Sequence, residues 1–138
     1  HSNWGIDNRT CAIRVIPGSP KSHRLEYRIA AADGNPYLAF AASVACGIYG
    51  IENKLELSPI VEGNAYDLKT SPENVELPNT LEKSTNAFSK SKVMRELFGD
   101  VWVDHFTITR EWEAKCYKEQ KKDTPDWFWM RDRYFEII

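Results

Sequence analysis

The sequence predicts an α+β fold, a short antiparallel β pair followed by four or five helices, and three observations carry that reading. Two stretches, Cys11–Ile16 and His23–Ile29, alternate polar and apolar residues with a period of two, as half-buried strands do. A dense turn cluster, Pro17-Gly18-Ser19-Pro20, separates them closely enough for antiparallel pairing. Everything after Asn35 reads as helices punctuated by cap residues, apart from one irregular stretch.

The elements follow in order. Residues 1–10, "HSNWGIDNRT", read as a loop ending in "DNRT". "CAIRVI" is a β-branched strand with Arg14 at its middle, and "HRLEYRI" is its partner. "DGN" at 33–35 ends the sheet, and Asn35-Pro36 has the form of an N-cap followed by proline at the first helical position. The helix from Pro36 to about Lys54 is apolar nearly all round, a pattern that predicts burial, and its alanines and Gly47 predict close packing. From Leu55 to Pro78 the chain lacks periodicity and carries Pro59, Gly63, Pro72 and Pro78, so a surface loop is expected. Asn79 or Thr80 then caps a helix with Leu81, Thr85 and Phe88 at helical spacing, and Lys92–Phe98 forms another, closed by Gly99. A long amphipathic helix runs from Asp100 to about Lys121, with Val101, His105, Ile108, Trp112 and Cys116 as its expected stripe. A last helix opens with Thr124 as N-cap and Pro125 at its first position. Its aromatics Trp127, Trp129, Tyr134 and Phe135 are expected in a core or a subunit contact. The same core reading applies to Trp102, His105 and Trp112.

Bulk composition narrows the function classes. With 138 residues, 42% of them hydrophobic, the chain suits a single unit with a real core. A formal charge of -2 gives no electrostatic case for nucleic acid or an anionic membrane surface. No apolar run reaches bilayer-spanning length. Cys11, Cys46 and Cys116 are widely spaced and form neither a CxxC nor a Cys/His cluster, which suggests a reduced, cytoplasmic setting without zinc.

The charged strand face is the one candidate for chemistry. Alternate strand residues share a face at about 6.6 Å spacing, so Arg24, Glu26 and Arg28 present cation, anion, cation in a row. Arg9, Arg14, Lys21 and His23 add to the neighbourhood, with Asp7 further off. One reading is a solvated face with weak cross-strand ion pairs. The other is a phosphate and metal site, because arginines grip phosphate or carboxylate oxygens in bidentate fashion while a carboxylate ligates Mg²⁺. Chemistry alone leaves both open.

Taken together, "DNRTCAIRVI", "SPKSHRLEYR", "NPYLAFAASVACGIYGIENK", "LPNTLEKSTNAF" and "DWFWMRDRYFE" resemble, in order and spacing, successive blocks of the glutamine synthetase superfamily. The resemblance runs from about Asn3 to Phe135 and implies the C-terminal part of the catalytic domain only. Members phosphorylate the γ-carboxylate of glutamate with ATP and let ammonia or an amine displace the phosphate. The resemblance implies Glu26 as a ligand of the metal, Mg²⁺ or Mn²⁺, that bridges the nucleotide phosphates. It implies Arg28 and Arg9 as catalytic, substrate-binding residues meeting the γ-carboxylate or the transferred phosphoryl group, and Arg14, Lys21 and Arg24 as ATP and phosphate contacts. Thr10 stands where serine is usual, and His23 where an arginine is often found. Tyr66 resembles the tyrosine that some bacterial members adenylylate, an ordinary loop tyrosine being the other reading. The small N-terminal β domain, the glycine-rich ATP stretch and the other metal ligands of the family lie upstream of these blocks. The expectations are therefore an isolated chain without ligase activity, a longer protein that is a cytoplasmic homo-oligomer acting on small molecules, and an acceptor that is ammonia or a larger amine. A catalytically silent member with an interaction role is the rival.

Overall fold

A computed structural model describes residues 1–31, 34–121 and 125–135. The chain falls into two compact units, His1–Leu77 and Pro78–Ile138.

Three short strands build the first unit: β1 (Trp4–Ile6), β2 (Ile13–Ile16) and β3 (Arg24–Tyr27), in that order across one sheet. β2 and β3 are antiparallel, as the turn cluster at 17–20 requires. β1 corrects the expectation of a loop over residues 1–10. It runs parallel to β2 with Trp4 beside Ile13, and at three residues it is too short to show alternation. Parallel neighbours ordinarily need a long crossover. Here residues 7–12 make the return, beginning with Asp7 in the left-handed region at φ 49°.

The register places Arg14 directly opposite Glu26 and Ile16 opposite Arg24, so the charged residues of β2 and β3 share one face. The other face carries Trp4, Ile6, Ile13, Val15, Leu25 and Tyr27. The segment expected as a surface loop instead runs along β1. The Trp4 indole Nε1 donates to the Ser58 carbonyl at 2.7 Å, and the Val61 amide donates to the Trp4 carbonyl at 3.0 Å. Its one regular piece is a 3₁₀ turn, Ala65–Asp67. Buried Asn3 and Asn74 tie its far end to the sheet, with the Asn3 amide donating to the Asn74 side-chain oxygen at 3.0 Å.

Helix α1 (Pro36–Glu52) starts as its sequence predicts, with the Asn35 side chain accepting from the amides of Tyr37 and Leu38 at 3.0 and 3.2 Å. Asp33, part of the expected punctuation, lies outside the described residues. The expectation of burial is not met: α1 has no buried residue, Tyr37 is 83% and Phe40 71% exposed, and a methyl added at Gly47 would meet nothing within 4 Å. An apolar pattern states that a helix requires a covering surface. It does not state where that surface comes from, and the described residues of this unit do not provide it.

The second unit holds α2 (Leu81–Lys90), α3 (Lys92–Phe98), α4 (Asp100–Gln120) and α5 (Asp126–Tyr134). Thr80 caps α2 by accepting from the Lys83 amide at 3.2 Å. Gly99, at φ +79°, ends α3 and opens α4, a backbone conformation that glycine adopts without a Cβ penalty. The α4 stripe is a second correction. Of the expected positions Cys116 is buried, but Val101, Ile108 and Trp112 are 87%, 63% and 59% exposed and His105 is also exposed; the other buried positions, Val103, Thr107 and Ala114, trace a different stripe. Both stripes have helical spacing, and α4 turns that of Val103, Thr107 and Ala114 toward α2. There Phe88 meets Trp102 and Phe106 edge-on, and Phe98 packs on Trp102.

Helix α5 begins one residue later than expected, with Pro125 flanking it rather than inside it; Thr124 lies outside the described residues. Its aromatics divide. Trp129 packs edge-to-face between Tyr117 and Tyr134, while Trp127 and Phe135 are 56% and 81% exposed. The Arg133 guanidinium donates two bonds of 3.0 Å to the two oxygens of Glu113, and the Tyr134 hydroxyl donates to the same carboxylate.

Candidate functional site

The candidate site lies in the first unit, on the charged face of the sheet and the loop between β1 and β2. Arg14 sits at its centre. Its Nη1 donates to Glu26 Oε2 at 3.2 Å across the strand pair, and its Nε donates to Asp7 Oδ1 at 3.0 Å, with Nη2 on the same Asp7 oxygen. Arg28, two residues along the strand edge, donates to the other oxygen of Glu26. The result is a chain of alternating charge, Asp7–Arg14–Glu26–Arg28, and it follows from register: cross-strand partners bring Arg14 to Glu26, and the left-handed turn at Asp7 folds its carboxylate back over Arg14.

Those contacts set the titration of the two acids. The hydrogen bond and charge of Arg14, with a smaller contribution from Arg9, hold the Asp7 carboxyl below the usual carboxylate range. Glu26 is likewise lowered, first by its hydrogen bond to Arg28 and then by the charges of Arg14 and Arg28. Both acids are therefore anionic at neutral pH.

Two open clefts flank this chain of charge. The larger, about 720 Å³, is lined by the Asp7–Arg9 loop, Arg14 and the 60–63 segment, which brings in Glu62. The smaller, about 270 Å³, has Arg9, Thr10, Arg28 and Tyr66 on its walls. Arg9 belongs to both. Among the described residues its guanidinium has neither a hydrogen bond nor an ion pair, in contrast to Arg14 and Arg28.

Of the six residues singled out from sequence, Arg9, Arg14, Glu26 and Arg28 come together. Lys21 and Arg24 do not join them: both are exposed at the far end of the β2–β3 pair and line neither cleft, and Arg24 donates to the Ser22 carbonyl at 3.1 Å. Asp7, expected further off, is in direct contact with Arg14. A tolerance of Asp for left-handed backbone before a strand was the available signal. Glu62 carries no local signal, since the 60–66 segment reaches the clefts only through its packing on β1; Tyr66, singled out from sequence for another reason, lines the smaller cleft.

Glu26 supplies one carboxylate, with each oxygen held by a guanidinium, and among the described residues no group of three or more His, Cys, Asp or Glu converges. These residues do not by themselves fit a metal cage. They fit an anion better: two arginines, Arg9 and Arg28, face one cleft, and a third is shared between carboxylates and the neighbouring cleft.

Comparison with known proteins bears on the same residues. The family model described as "Glutamine synthetase, catalytic domain" matches residues 1–127. The chain is 46% identical over 137 residues to type-1 glutamine synthetase 2 of Dictyostelium discoideum, covering 98% of this chain and 25% of that protein. It is 40% identical to a glutamate–isopropylamine ligase of Pseudomonas sp, over 100% of this chain and 29% of the relative. It is 43% identical to gamma-glutamylethanolamide synthetase GlnA4 of Streptomyces coelicolor, over 96% of this chain and 27% of the relative. The chain thus spans less than a third of the length of these relatives.

Proposed function

Because the chain belongs to the glutamine synthetase catalytic-domain family, we propose that residues 1–138 are the C-terminal catalytic segment of an ATP-dependent ligase. The reaction joins the γ-carboxylate of glutamate to ammonia or an amine through a γ-glutamyl phosphate. Arg9 and Arg28 hold the γ-carboxylate and the phosphoryl group transferred to it. Their fixed positive charge stabilises negative charge as it spreads over the phosphoryl oxygens. Arg14, Lys21 and Arg24 contact the nucleotide phosphates, the last two from the outer end of the β2–β3 pair. Glu26 contributes one ligand to a Mg²⁺ or Mn²⁺ site whose other donors come from outside residues 1–138.

The supporting observation is the placement of Arg9 and Arg28 on one cleft, with the Arg9 guanidinium unpaired among the described residues. A catalytically silent protein would have no chemical need for that pair beside Arg14 and Glu26. The acceptor stands between ammonia and a larger amine. The named activities of the Pseudomonas and Streptomyces relatives favour testing the amine alongside ammonia. A homo-oligomeric, cytoplasmic enzyme acting on small molecules belongs to the same proposal. Among the described residues no helix is long and apolar enough to cross a membrane.

Two incubations test the reading, each with ATP, Mg²⁺ and glutamate, and with ammonia, isopropylamine or ethanolamine as acceptor. The 138-residue chain alone is expected to release no phosphate, and turnover that scales with its concentration would refute that. A longer protein carrying this segment is expected to release phosphate only when both glutamate and an acceptor are present. Phosphate release independent of glutamate, or none at all, would sink the ligase assignment.

A further inference from the structure

We propose that Asn8 and Thr10 are positioning residues for Arg9, clamping its backbone onto the 61–65 segment so that its free guanidinium is presented where the two clefts meet. The inference rests on the reading of Arg9 as a substrate-binding residue.

The clamp has a part on each side of Arg9. Asn8 Oδ1 accepts from the Thr10 amide at 3.0 Å and from the Thr10 hydroxyl at 2.6 Å, closing a small ring around Arg9. The other end of the Asn8 amide donates to the Gly63 carbonyl at 2.8 Å and approaches the Val61 carbonyl at 3.4 Å. Thr10 completes the tie by accepting the Ala65 amide on its hydroxyl at 2.8 Å. Both residues flanking Arg9 therefore hold the same distant segment, and Ala65 at its end is 2% exposed.

The packing beneath leaves little room for movement. A methyl at Gly5 would lie 2.8 Å from Asn8 Cβ, 3.0 Å from the Val61 carbonyl and 3.1 Å from Cys11 Sγ. The base of the loop is thus wedged between β1 and the 61–65 segment. Arg9 itself contributes nothing to this network among the described residues. Its side chain lines both clefts while its main chain is held from either side. A free cation on a fixed base is the arrangement that binds an anion without the cost of ordering a loop.

The chemistry also explains why a hydroxyl is needed at position 10. It must donate to Asn8 and accept from Ala65 at once, which serine or threonine satisfies and valine does not. Asn8 must accept and donate through one side chain, which aspartate cannot do. These requirements define the test.

Thr10→Val, Thr10→Ser, Asn8→Asp and Arg9→Gln are made in a full-length enzyme carrying this segment, and KM for glutamate, KM for ATP, kcat and thermal midpoint are measured. In the 138-residue chain, ¹⁵N relaxation reads the order of the Arg9 backbone amide. Thr10→Val and Asn8→Asp are expected to raise KM for glutamate by about tenfold or more, the scale that small misplacements of a binding group produce. KM for ATP should move less than twofold. Arg9 order should fall in both, and Thr10→Ser should restore both readouts. A merely structural role would lower the thermal midpoint and the active fraction while leaving KM for glutamate alone. Wild-type KM in Thr10→Val beside a raised KM in Arg9→Gln overturns the positioning role only. Wild-type KM in Arg9→Gln overturns the reading of Arg9 itself. Unchanged Arg9 order in Thr10→Val overturns the clamp whatever the activity shows.

Discussion

Neutralising Glu113 should undock α5 from α4, and the size of the effect follows from the contacts. Glu113, with its side chain 12% exposed, accepts two 3.0 Å bonds from Arg133 and a third from Tyr134. Glu113→Gln keeps the shape, but replaces one acceptor oxygen by an NH₂ that faces guanidinium donors. A hydrogen bond to a charged group contributes about 1.5–3 kcal/mol, against about 0.2–1 kcal/mol for an exposed ion pair. Arg133 is the more exposed partner, at 35% of its side chain, so solvent discounts the upper figure. The expected loss is about 1–2 kcal/mol. It can be read by urea titration followed through tryptophan fluorescence, since Trp129 sits between Tyr117 and Tyr134. A double-mutant cycle with Arg133→Met isolates the pair. Arg133 and Tyr134 hold the Glu113 carboxyl below its ordinary range, Arg133 contributing most. A lowered carboxyl stabilises the fold above its unfolded-state pKa, and that contribution is lost as pH falls through the lowered value. The mutant should therefore lose its disadvantage in acid. A coupling under about 0.5 kcal/mol, or one that does not change with pH, would refute the account.

Three further outcomes can be measured. Val103, fully buried on α4, should cost about 2–3 kcal/mol when cut to alanine, from lost burial plus the cavity left behind; a cost under about 1 kcal/mol by denaturant titration contradicts its core position. The hydroxyls of Thr85 and Thr107 are buried without a hydrogen-bond partner among the described residues, so Thr107→Val should be neutral or stabilising, and a loss above about 1 kcal/mol would show that the hydroxyl has a partner. Arg14→Met should raise the Asp7 titration midpoint toward the ordinary carboxylate value, because Arg14 is the main cause of its depression; an unmoved midpoint in a carboxyl ¹³C titration would rule out the ion pair.

The parts legible in the sequence were those whose cause lies within a few residues. Asn35-Pro36, Thr80 and Gly99 mark helix ends because capping is a bond between near neighbours, and each stands where it was expected. Arg14 opposite Glu26 was nearly legible too, since period-two alternation and one tight turn leave few registers. What was misread is non-local. Residues 1–10 hide β1 because a three-residue strand has no period of its own and exists through Ile13–Val15 and Val61. On α4, packing on α2 buries Val103, Thr107 and Ala114, while of the expected stripe Cys116 alone is buried among the described residues.

The candidate site divides along the same line. The sequence by itself determined which residue types stand on the charged face, Arg14, Arg24, Glu26 and Arg28, and that its arginines are suited to anions. Only the tertiary structure decided that Asp7 and Glu26 occupy Arg14, that Lys21 and Arg24 stand apart, and that Asn8 and Thr10 fasten Arg9 to a segment some fifty-five residues on. A side chain's chemistry is fixed by its covalent structure, whereas which charges remain free depends on distances across the fold, and those distances are set by packing between segments remote in the chain.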